Sequence, residues 1–260
     1  MSSTKPEFSK AELLAVMTAR LLEDEKTAFV GIGLPMAAAL LAQLTNSPHL
    51  SIMFEGGIIA PLLKRGKMPL STNEVRAGRQ AMAFCSITDM FLYQQRGFLD
   101  YGLLGAAQID KFGNINTTLI GSLDNPKVRF PGSGGANDIA SSATRVIISL
   151  IHEKRRFVEK VDFITSPGFL AGDDSRSTAG LIFGGPYKVV TDLGIMGFDP
   201  TTKRMMLEAV HKGIRAQEVQ ENTGFDLPIS NSINETIPPT RRELKILRAI
   251  DPEKVMLRGG

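Results

Sequence analysis

The chain has 260 residues, of which 43% are hydrophobic, and its 30 Lys and Arg against 27 Asp and Glu give a formal net charge of +3. This small excess is spread along the chain, which argues against nucleic acid as the default partner. The one cysteine, Cys85, excludes an internal disulfide. The polar start Met1–Lys10 lacks the apolar core of a secretory signal, and no apolar run approaches the ~20 residues of a membrane span. We therefore expect a cytoplasmic protein without membrane insertion.

Hydrophobic periodicity and glycine or proline punctuation divide the chain into short strands and helices. A capping box of Ser9 and Glu12 opens the first helix, and Pro35 precedes the second. In chain order, the predicted elements are helix Ser9–Asp24, strand Thr27–Ile32, helix Met36–Leu44, strand Leu50–Phe54, helix Asp89–Gln95, strands Tyr101–Ala106 and Asn116–Ser122, a helix beginning near Ile139, and strands Val146–Ile151 and Asp162–Thr165. This alternation predicts an α/β domain with a mostly parallel sheet.

The pattern changes after about residue 185. Strands Tyr187–Thr191, Ile195–Phe198 and Met205–Val210 are separated by turn sequences that favour an antiparallel meander. Helices Arg215–Asn222 and Arg241–Ile250 follow. No repeat, low-complexity tract or linker demands a second domain, so we expect one domain over residues 1–260 whose mostly parallel sheet is extended by antiparallel strands.

Glu55 is the first candidate for chemistry. It stands at the carboxyl end of strand Leu50–Phe54, and ligands bind at that edge in open α/β sheets. Gly56 and Gly57 follow it, leaving the carboxylate exposed to a reacting group, while Met53 and Phe54 make its surroundings partly apolar. This setting suits a nucleophile toward an activated acyl group, or a general base. From position alone, a solvated acid or a cap of the next segment is the competing interpretation.

Glycine is in surplus, with 25 residues where average usage predicts about 18. The segment Gly132-Ser-Gly-Gly-Ala-Asn137 is followed by a predicted helix, and its backbone N–H groups could hold an anion or an oxyanion. No Gly-Lys-Ser/Thr follows, which excludes a Walker A loop. A plain strand-to-helix turn capped by Asn137 or Asp138 remains the alternative.

The remaining motifs give weaker evidence of function. Gly31-Ile-Gly33 lacks the third small residue of a dinucleotide fingerprint, because Met36 stands there. The run His152–Arg156 is a basic patch, interpreted as a solvated face or a subunit contact in preference to a phosphate clamp. The histidines and Cys85 show no metal-ligand spacing, and no serine-hydrolase elbow occurs, so we expect no metal and no serine nucleophile. Cys85 itself is interpreted as a buried core residue.

Seven motifs occur in an order that resembles the β subunit of class I CoA-transferases, and the pattern is most similar to the β subunit of glutaconate CoA-transferase. They are Gly31-Ile-Gly-Leu-Pro35, Phe54-Glu-Gly-Gly57, Gly105-Ala-Ala-Gln-Ile-Asp110 with Gly113-Asn-Ile-Asn116, Gly132-Ser-Gly-Gly-Ala-Asn137, His152-Glu-Lys-Arg-Arg-Phe157, Thr165-Ser-Pro-Gly168 and Asn222-Thr-Gly-Phe-Asp226. The resemblance extends from about Ser9 to Pro252. It implies an open three-layer α/β/α fold and an active site shared with a companion α subunit.

The resemblance also implies a reaction. Glu55 matches the family's catalytic glutamate, which forms a covalent glutamyl-CoA thioester while CoA moves from a short dicarboxylic or oxo acyl-CoA to an acceptor carboxylate. Coenzyme A is then a substrate and not a permanently bound cofactor. Gly132, Gly134, Gly135, Ala136 and Asn137 match the loop that serves the oxyanion or the CoA chain. Gly31, Gly33, Gly56 and Gly57 are expected near the nucleophile.

One departure keeps alternatives open. Glutaconate enzymes follow the glutamate with Ser-Gly, whereas this chain has Gly56-Gly57. Relatives without the glutamate decarboxylate or hydrolyse acyl-CoAs, so a hydrolase or decarboxylase with Glu55 as general base is the alternative. A non-catalytic ligand sensor is disfavoured, because the one helix before the first strand leaves no room for a DNA-binding module.

Overall fold

The computed structural model describes residues 7–257, so part of the polar start Met1–Lys10 and both ends of the domain predicted over 1–260 lie outside the described residues. The helices are α1 Lys10–Arg20, α2 Leu34–Gln43, α3 Ile87–Gln95, α4 Ala136–Ser142, α5 Ser175–Thr178, α6 Ala216–Glu221 and α7 Arg241–Ile250, with a 3-10 turn at Val75–Gly78. The strands are β1 Thr27–Val30, β2 Ser51–Phe54, β3 Ile58–Ile59, β4 Ala83–Phe84, β5 Tyr101–Leu104, β6 Gln108–Asp110, β7 Ile115–Asn116, β8 Leu119–Gly121, β9 Pro126–Arg129, β10 Arg145–Ser149, β11 Phe157–Val158, β12 Pro186–Val190, β13 Gly194–Phe198, β14 Met205–Val210 and β15 Ile229–Glu235.

Ten strands form one sheet in the order β15-β14-β13-β12-β10-β5-β1-β2-β3-β4. The central strands from β12 to β2 pair in parallel. Antiparallel strands continue the sheet on both sides, β3 and β4 beyond β2, and β13 and β14 beyond β12. The predicted α/β fold with a mostly parallel sheet and a meander after residue 185 is confirmed.

The central strands are buried on both faces. Ala28, Ile52 and Leu103 point into the core shared with α1, α2 and α7. Phe29 and Met53 point to the opposite core, which α3 and α4 help to build. Burial on both faces explains why these strands are continuous apolar runs in the sequence. Within residues 7–257, no helix has the length and apolarity needed to cross a membrane.

The chain reverses direction across the sheet next to β1. Helix α2 connects β1 to β2 on one side, and the later strands β5 and β10 lie on the other side of β1. In open parallel sheets such a switch point opens a crevice at the carboxyl ends of the strands. The segments that follow β1, β2, β5 and β10 all begin at this edge, and Glu55 is among them.

Two sequence predictions are wrong at the level of elements. Asp162–Thr165 is a loop and not a strand, and its Asp162 carboxylate accepts hydrogen bonds from the Gln108 side chain (3.2 Å) and the Gly121 amide (2.9 Å). The predicted strand Asn116–Ser122 is interrupted after Asn116, whose side chain accepts from the Thr118 amide (2.9 Å). In both cases, side-chain to backbone bonding replaces the ladder that hydrophobic alternation predicts.

Gly184 and Gly185, for which the sequence indicates no role, allow the chain to approach its neighbours before β12. A Cβ on Gly184 would overlap the carbonyl oxygen of Thr144. Gly185 has φ +91°, and its Cβ would lie 2.8 Å from Nε of Arg176. The buried Arg176 guanidinium donates to carbonyl groups of residues 140–141, 167–168 and 183, and burial lowers its pKa to about 10. The absence of side chains at these two glycines therefore allows the chain to pack closely against Thr144 and the buried Arg176.

Candidate active site

Glu55 lies on the tight loop between β2 and β3. Phe54 pairs with Ile58 across the hairpin, which leaves a three-residue loop. The Gly57 amide donates to the Phe54 carbonyl (3.0 Å), and Gly57 has φ +91°, the left-handed backbone that such loops need at their third residue. Because the loop has only three residues, the paired strands on both sides of it fix the backbone of Glu55.

Gly56 and Gly57 face protein and not open space. A Cβ on Gly57 would overlap the carbonyl oxygen of Cys85, and a Cβ on Gly56 would overlap the Asn73 side chain. The Cys85 amide also donates to the Gly57 carbonyl (2.8 Å). Both glycines therefore let two other segments close against the turn, which adds rigidity.

The glycine loop at residues 132–137 lies beside Glu55. A Cβ on Gly135 would lie 3.4 Å from Cδ of Glu55 and 3.2 Å from Cζ of Phe91. Phe91 in α3 packs in turn against Phe29, with ring centroids 6.5 Å apart. Glu55 is half-buried, and no hydrogen-bond or ion-pair partner of its carboxylate lies among residues 7–257. The structure thus brings together a carboxylate without a partner and the predicted loop.

Within the loop, only some predicted donors are available. Gly132 donates to the Thr117 carbonyl (3.0 Å), and Ala136 donates to Ser133 (2.9 Å). Gly134 has φ +49° with nothing within 4 Å of its Cβ position, and in the described part of the chain neither its amide nor that of Gly135 has a backbone acceptor. The amides of Gly134 and Gly135 are therefore among those that can still bind a ligand.

Asn137 anchors the loop. Its side-chain amide donates to the Thr165 carbonyl (2.9 Å), and the Thr165 hydroxyl accepts from the Thr117 amide (2.9 Å). The Thr117 hydroxyl donates to the Gly132 carbonyl (2.9 Å). These contacts hold the loop against the segment that carries the Thr165-Ser-Pro-Gly168 motif, so Asn137 positions the loop through protein contacts.

Gly31 and Gly33 end β1 at the same edge. The parallel register, in which Phe29 pairs with Met53, places Gly31 level with Glu55 on the neighbouring strand. Gly33 has φ +86° and caps α2. It also lines a cavity of about 340 Å³, here called the strand-end cavity, together with Leu104–Ala106 and Ser149–Ile151. Gly31 is thus level with the candidate nucleophile, and Gly33 opens onto a neighbouring cavity.

His152 does not lie on a solvated face. It is buried, stacks on Phe157 with ring centroids 4.0 Å apart, and its ring nitrogens lie 3.1 Å and 3.0 Å from the hydroxyls of Thr191 and Thr223. Burial lowers the pKa of His152 to about 4, so the ring is neutral near pH 7. The basic patch is therefore confined to the residues after His152, and the prediction of a solvated histidine is wrong because three segments close over the ring.

Cys85 is half-buried and packs against the rim of the core that α3 and α4 help to build, whereas its neighbours Phe84 and Ser86 are exposed, so the prediction of a buried region is wrong. Its thiol lies 3.5 Å from the Gly57 carbonyl oxygen, and burial raises its pKa, which keeps the sulfur protonated. Within residues 7–257, no group of three His, Cys, Asp or Glu side chains could hold a metal ion.

Sequence reasoning missed Phe91, Thr117 and Thr165, which support Glu55 and the glycine loop. Phe91 comes from a helix distant in sequence, and its apolar periodicity indicates only a core position. The threonines hold the loop through their hydroxyls, a contact that no spacing in the sequence reveals. The Thr165-Ser-Pro-Gly168 motif was the available signal for this segment.

Comparisons with known proteins show which family the sequence is similar to. The family model described as coenzyme A transferase matches residues 11–222. The chain is 41% identical over 253 residues to the β subunit of 3-oxoadipate CoA-transferase from Pseudomonas knackmussii, covering 97% of this chain and 96% of the relative. It is 36% identical over 265 residues to the β subunit of glutaconate CoA-transferase from Acidaminococcus fermentans, covering 96% and 95%.

Solved structures show the same likeness. The crystal structure of the A. fermentans glutaconate coenzyme A-transferase matches with a TM-score of 0.87 and 34% identity, covering 99% of this chain and 100% of that chain. The decarboxylase AibA/AibB matches with a TM-score of 0.80 and 25% identity, covering 96% and 98%. The fold is therefore shared with proteins of more than one activity.

Proposed function

The chain belongs to the class I coenzyme A transferase family, among its β subunits, and from this premise we propose that it transfers CoA between short acyl groups through a covalent thioester on Glu55. The donors are dicarboxylic or oxo acyl-CoAs, because similar proteins are named for 3-oxoadipate and glutaconate. The observation that supports this proposal most is the position of the Glu55 carboxyl group beside the glycine loop, 3.4 Å from where a Cβ of Gly135 would stand.

The proposed reaction balances at each step. The Glu55 carboxylate attacks the thioester carbonyl, forms an acyl-glutamyl anhydride and releases CoA thiolate. The thiolate then attacks the glutamyl carbonyl of the anhydride, which gives the glutamyl-CoA thioester and frees the donor acid as a carboxylate. An acceptor carboxylate repeats both steps in reverse, so that Glu55 returns as a carboxylate and the new acyl-CoA leaves.

The arrangement around Glu55 addresses the difficulty of this chemistry, which is that a carboxylate is a weak nucleophile toward a thioester in water. The short loop positions the carboxylate. Because the carboxylate has no protein partner, it does not have to break a hydrogen bond or an ion pair within the protein before it attacks. The amides of Gly134 and Gly135 would donate to the oxyanion of each tetrahedral intermediate. Positioning alone can make such an attack effectively intramolecular.

We also propose that a companion α subunit covers this edge of the sheet. Edge strand β4 is exposed, with Phe84 68% and the preceding Met82 78% exposed. The β4 segment reaches the catalytic turn, because Cys85 donates to Gly57. An exposed apolar edge beside a reactive carboxylate is typical of a surface that another chain covers. The similar proteins are each named as one subunit of an enzyme, which supports a partner.

The nucleophile is tested by trapping. The chain co-expressed with its α-type partner is incubated with a panel of acyl-CoAs, reduced with borohydride, and the Glu55 peptide is analysed by mass spectrometry. We expect reduction of Glu55 only after acyl-CoA treatment. Glu55→Asp should lower turnover by orders of magnitude while assembly is kept, since it shortens the reach by one methylene. Transfer near the wild-type rate by Glu55→Ala would overturn the mechanism.

A hydrolase or decarboxylase with Glu55 as general base is the second candidate, favoured by the structural match to the decarboxylase AibA/AibB. The two functions separate in one assay. Transfer consumes acyl-CoA only when an acceptor acid is present, whereas hydrolysis or decarboxylation proceeds without one. Release of CoA or CO₂ without an acceptor, with no trapped thioester, would favour the second candidate.

A further inference from the structure

A second cavity lies beside the active-site edge and has no part in the transfer steps. It has a volume of about 570 Å³ and is here called the arginine groove. Its lining residues are Ala106, Ala107, Gln108, Ile120, Val128, Phe130, Arg155 and Arg156. The groove is apolar along one wall and cationic along the other.

The apolar wall is one face of the β8–β9 hairpin. Ile120 and Val128 pair across the hairpin, so their side chains lie on the same face. Phe130 lies two residues beyond Val128 and also lines the groove, whereas Lys127 and Arg129 of the same strand are not among its lining residues. Although Val128 belongs to this wall, it is 44% exposed. The hairpin thus offers apolar surface to the groove and keeps its own cations out of it.

The cationic wall carries a net positive charge. Arg155 and Arg156 share one carboxylate, that of Glu153, at 2.8 Å and 3.1 Å. Arg156 also donates to the Ala106 carbonyl (3.3 Å), which fixes it at the groove. The Arg155 side chain is 77% exposed, so its guanidinium keeps donors free for a ligand. Two guanidinium groups against one carboxylate attract an anion, and the fork of arginine suits phosphate.

The groove continues into the active site in two directions. It shares Ala106 and Arg156 with the strand-end cavity. Phe130 precedes the glycine loop by two residues, and Gly132 of that loop bonds to Thr117. The parallel register places Leu104, which lines the strand-end cavity, level with Gly31 and Glu55 on the two neighbouring strands, about 10 Å from Glu55 at the spacing of strands. A ligand that reacts at Glu55 and extends along the hairpin would reach the arginines.

We propose that the arginine groove binds the nucleotide end of coenzyme A, with Arg155 and Arg156 on its phosphates and the hairpin face against its adenine and pantetheine arm. This subsite rests on the proposed function, because it assumes that the thioester end of the same molecule meets Glu55. It assigns the groove a ligand with an anionic, aromatic head and a long uncharged arm.

The test compares Arg155→Ala with Lys127→Ala in the full chain assembled with its α-type partner. Lys127 is the matched control, because it is an exposed cation of the same hairpin that does not line the groove. Equilibrium dialysis measures the dissociation constant of CoA, and steady-state assays use acyl-CoA and the matching acyl-pantetheine, which lacks the nucleotide. For Arg155→Ala we expect the dissociation constant of CoA and the KM for acyl-CoA to rise about tenfold. Its kcat and its kinetics with acyl-pantetheine should not change.

Each failure has its own signature. An unchanged dissociation constant in Arg155→Ala, an equal loss with acyl-pantetheine, or an equal effect of Lys127→Ala overturns the subsite. If the thioester on Glu55 is trapped but CoA binding is insensitive to Arg155, the proposed function stands and the subsite falls. If no thioester forms but CoA binding weakens in Arg155→Ala alone, the subsite stands and the mechanism on Glu55 falls.

Discussion

At the scale of single residues, the candidate site depends on the absence of a side chain at Gly135. Its missing Cβ leaves room for the Glu55 carboxyl group on one side and the Phe91 ring on the other. Since Gly135 has φ −76° and ψ −2°, alanine could adopt its backbone without strain. The need for glycine here is therefore spatial, and it concerns the space beside the carboxylate.

We predict that Gly135→Ala lowers kcat by about tenfold or more, because its methyl group would press on the Phe91 ring at 3.2 Å and contact Cδ of Glu55 at 3.4 Å, and small misplacements of reacting groups are costly. The melting temperature should stay within a few degrees of wild type. Gly105→Ala is the control, since its Cβ would make only ordinary contact, 3.9 Å from the Ser149 carbonyl. Equal kinetics for the two variants would contradict this account of Gly135.

The position of Glu55 could be predicted from the sequence, whereas its environment could not. A strand that ends in a carboxylate followed by two glycines is a local pattern, and local patterns survive folding. The amide of Ala136 was a predicted donor, but it bonds to Ser133 and closes the turn. Which amides of a glycine loop stay free depends on loop geometry, which residue identities do not determine.

At the scale of elements, His152 joins three segments that end at the same edge. It follows β10, its ring contacts Thr191 after β12, and it contacts Thr223 after α6. Its backbone amide donates to the Asp192 carboxylate (2.7 Å), which also forms an ion pair with Lys10. The nearby carboxylate acts to raise the pKa of His152, but burial outweighs it and the net shift is downward.

The burial of His152 among these segments predicts that the free energy of unfolding falls in acid. An unfolded histidine with a pKa of 6.5 binds more protons than His152 with a folded pKa of about 4. The contribution of His152 is therefore complete above about pH 7, declines as the pH falls below 6.5 and levels off below about 4. The whole change is at most about 3 kcal/mol. The neighbouring His211 also has a lowered pKa, so it acts with the same sign.

Urea unfolding of wild type and His152→Gln at pH 7.5 and pH 5 tests this prediction. We expect the variant to be less stable at pH 7.5 but to lose less stability on acidification. His49→Gln is the control, because Asp24 raises the pKa of the exposed His49 and its contribution is lost as the pH rises. A wild-type pH dependence in His152→Gln would show that other groups cause the acid loss.

Helices and strands whose own sequence carries a recognisable pattern could be predicted, and those without such a pattern could not. The capping box of Ser9 and Glu12 and the apolar stripe of Arg241–Ile250 define α1 and α7 by nearby contacts. Strand β15, Ile229–Glu235, was not predicted, since its exposed polar sequence has no alternation. It forms because β14 presents an open edge to it, which is a property of the folded sheet.

At the scale of the whole molecule, the sheet has two unlike ends. Strand β15 is exposed and mostly polar, with Ile229 and Ile233 as its two apolar residues, and a polar edge suits contact with water. Strand β4 ends the other side with exposed apolar residues next to the turn that carries Glu55. The general layout followed from the alternation of strands and helices, but the strand order, and hence this asymmetry, required the structure.

We predict that Met82→Glu weakens assembly with the α subunit about tenfold or more without lowering the melting temperature of the chain. Met82 is 78% exposed, so its replacement costs the isolated fold little, whereas a carboxylate in an apolar interface is expensive. Ile182→Glu is the control, because Ile182 is 82% exposed but precedes β12, which lies across the central strands from β4. Co-purification and analytical ultracentrifugation measure the effect, and equal assembly of both variants would place the partner elsewhere.

The exposed β4 edge also limits how much of this chain a cell can produce without aggregation. A chain synthesised in excess of the proposed partner would keep an unpaired apolar strand edge open, and such edges pair with further copies. Matched production of the two subunits would then govern how much chain stays out of aggregates. The amount of usable protein would be set by gene dosage and the timing of translation, and not by the stability of the fold.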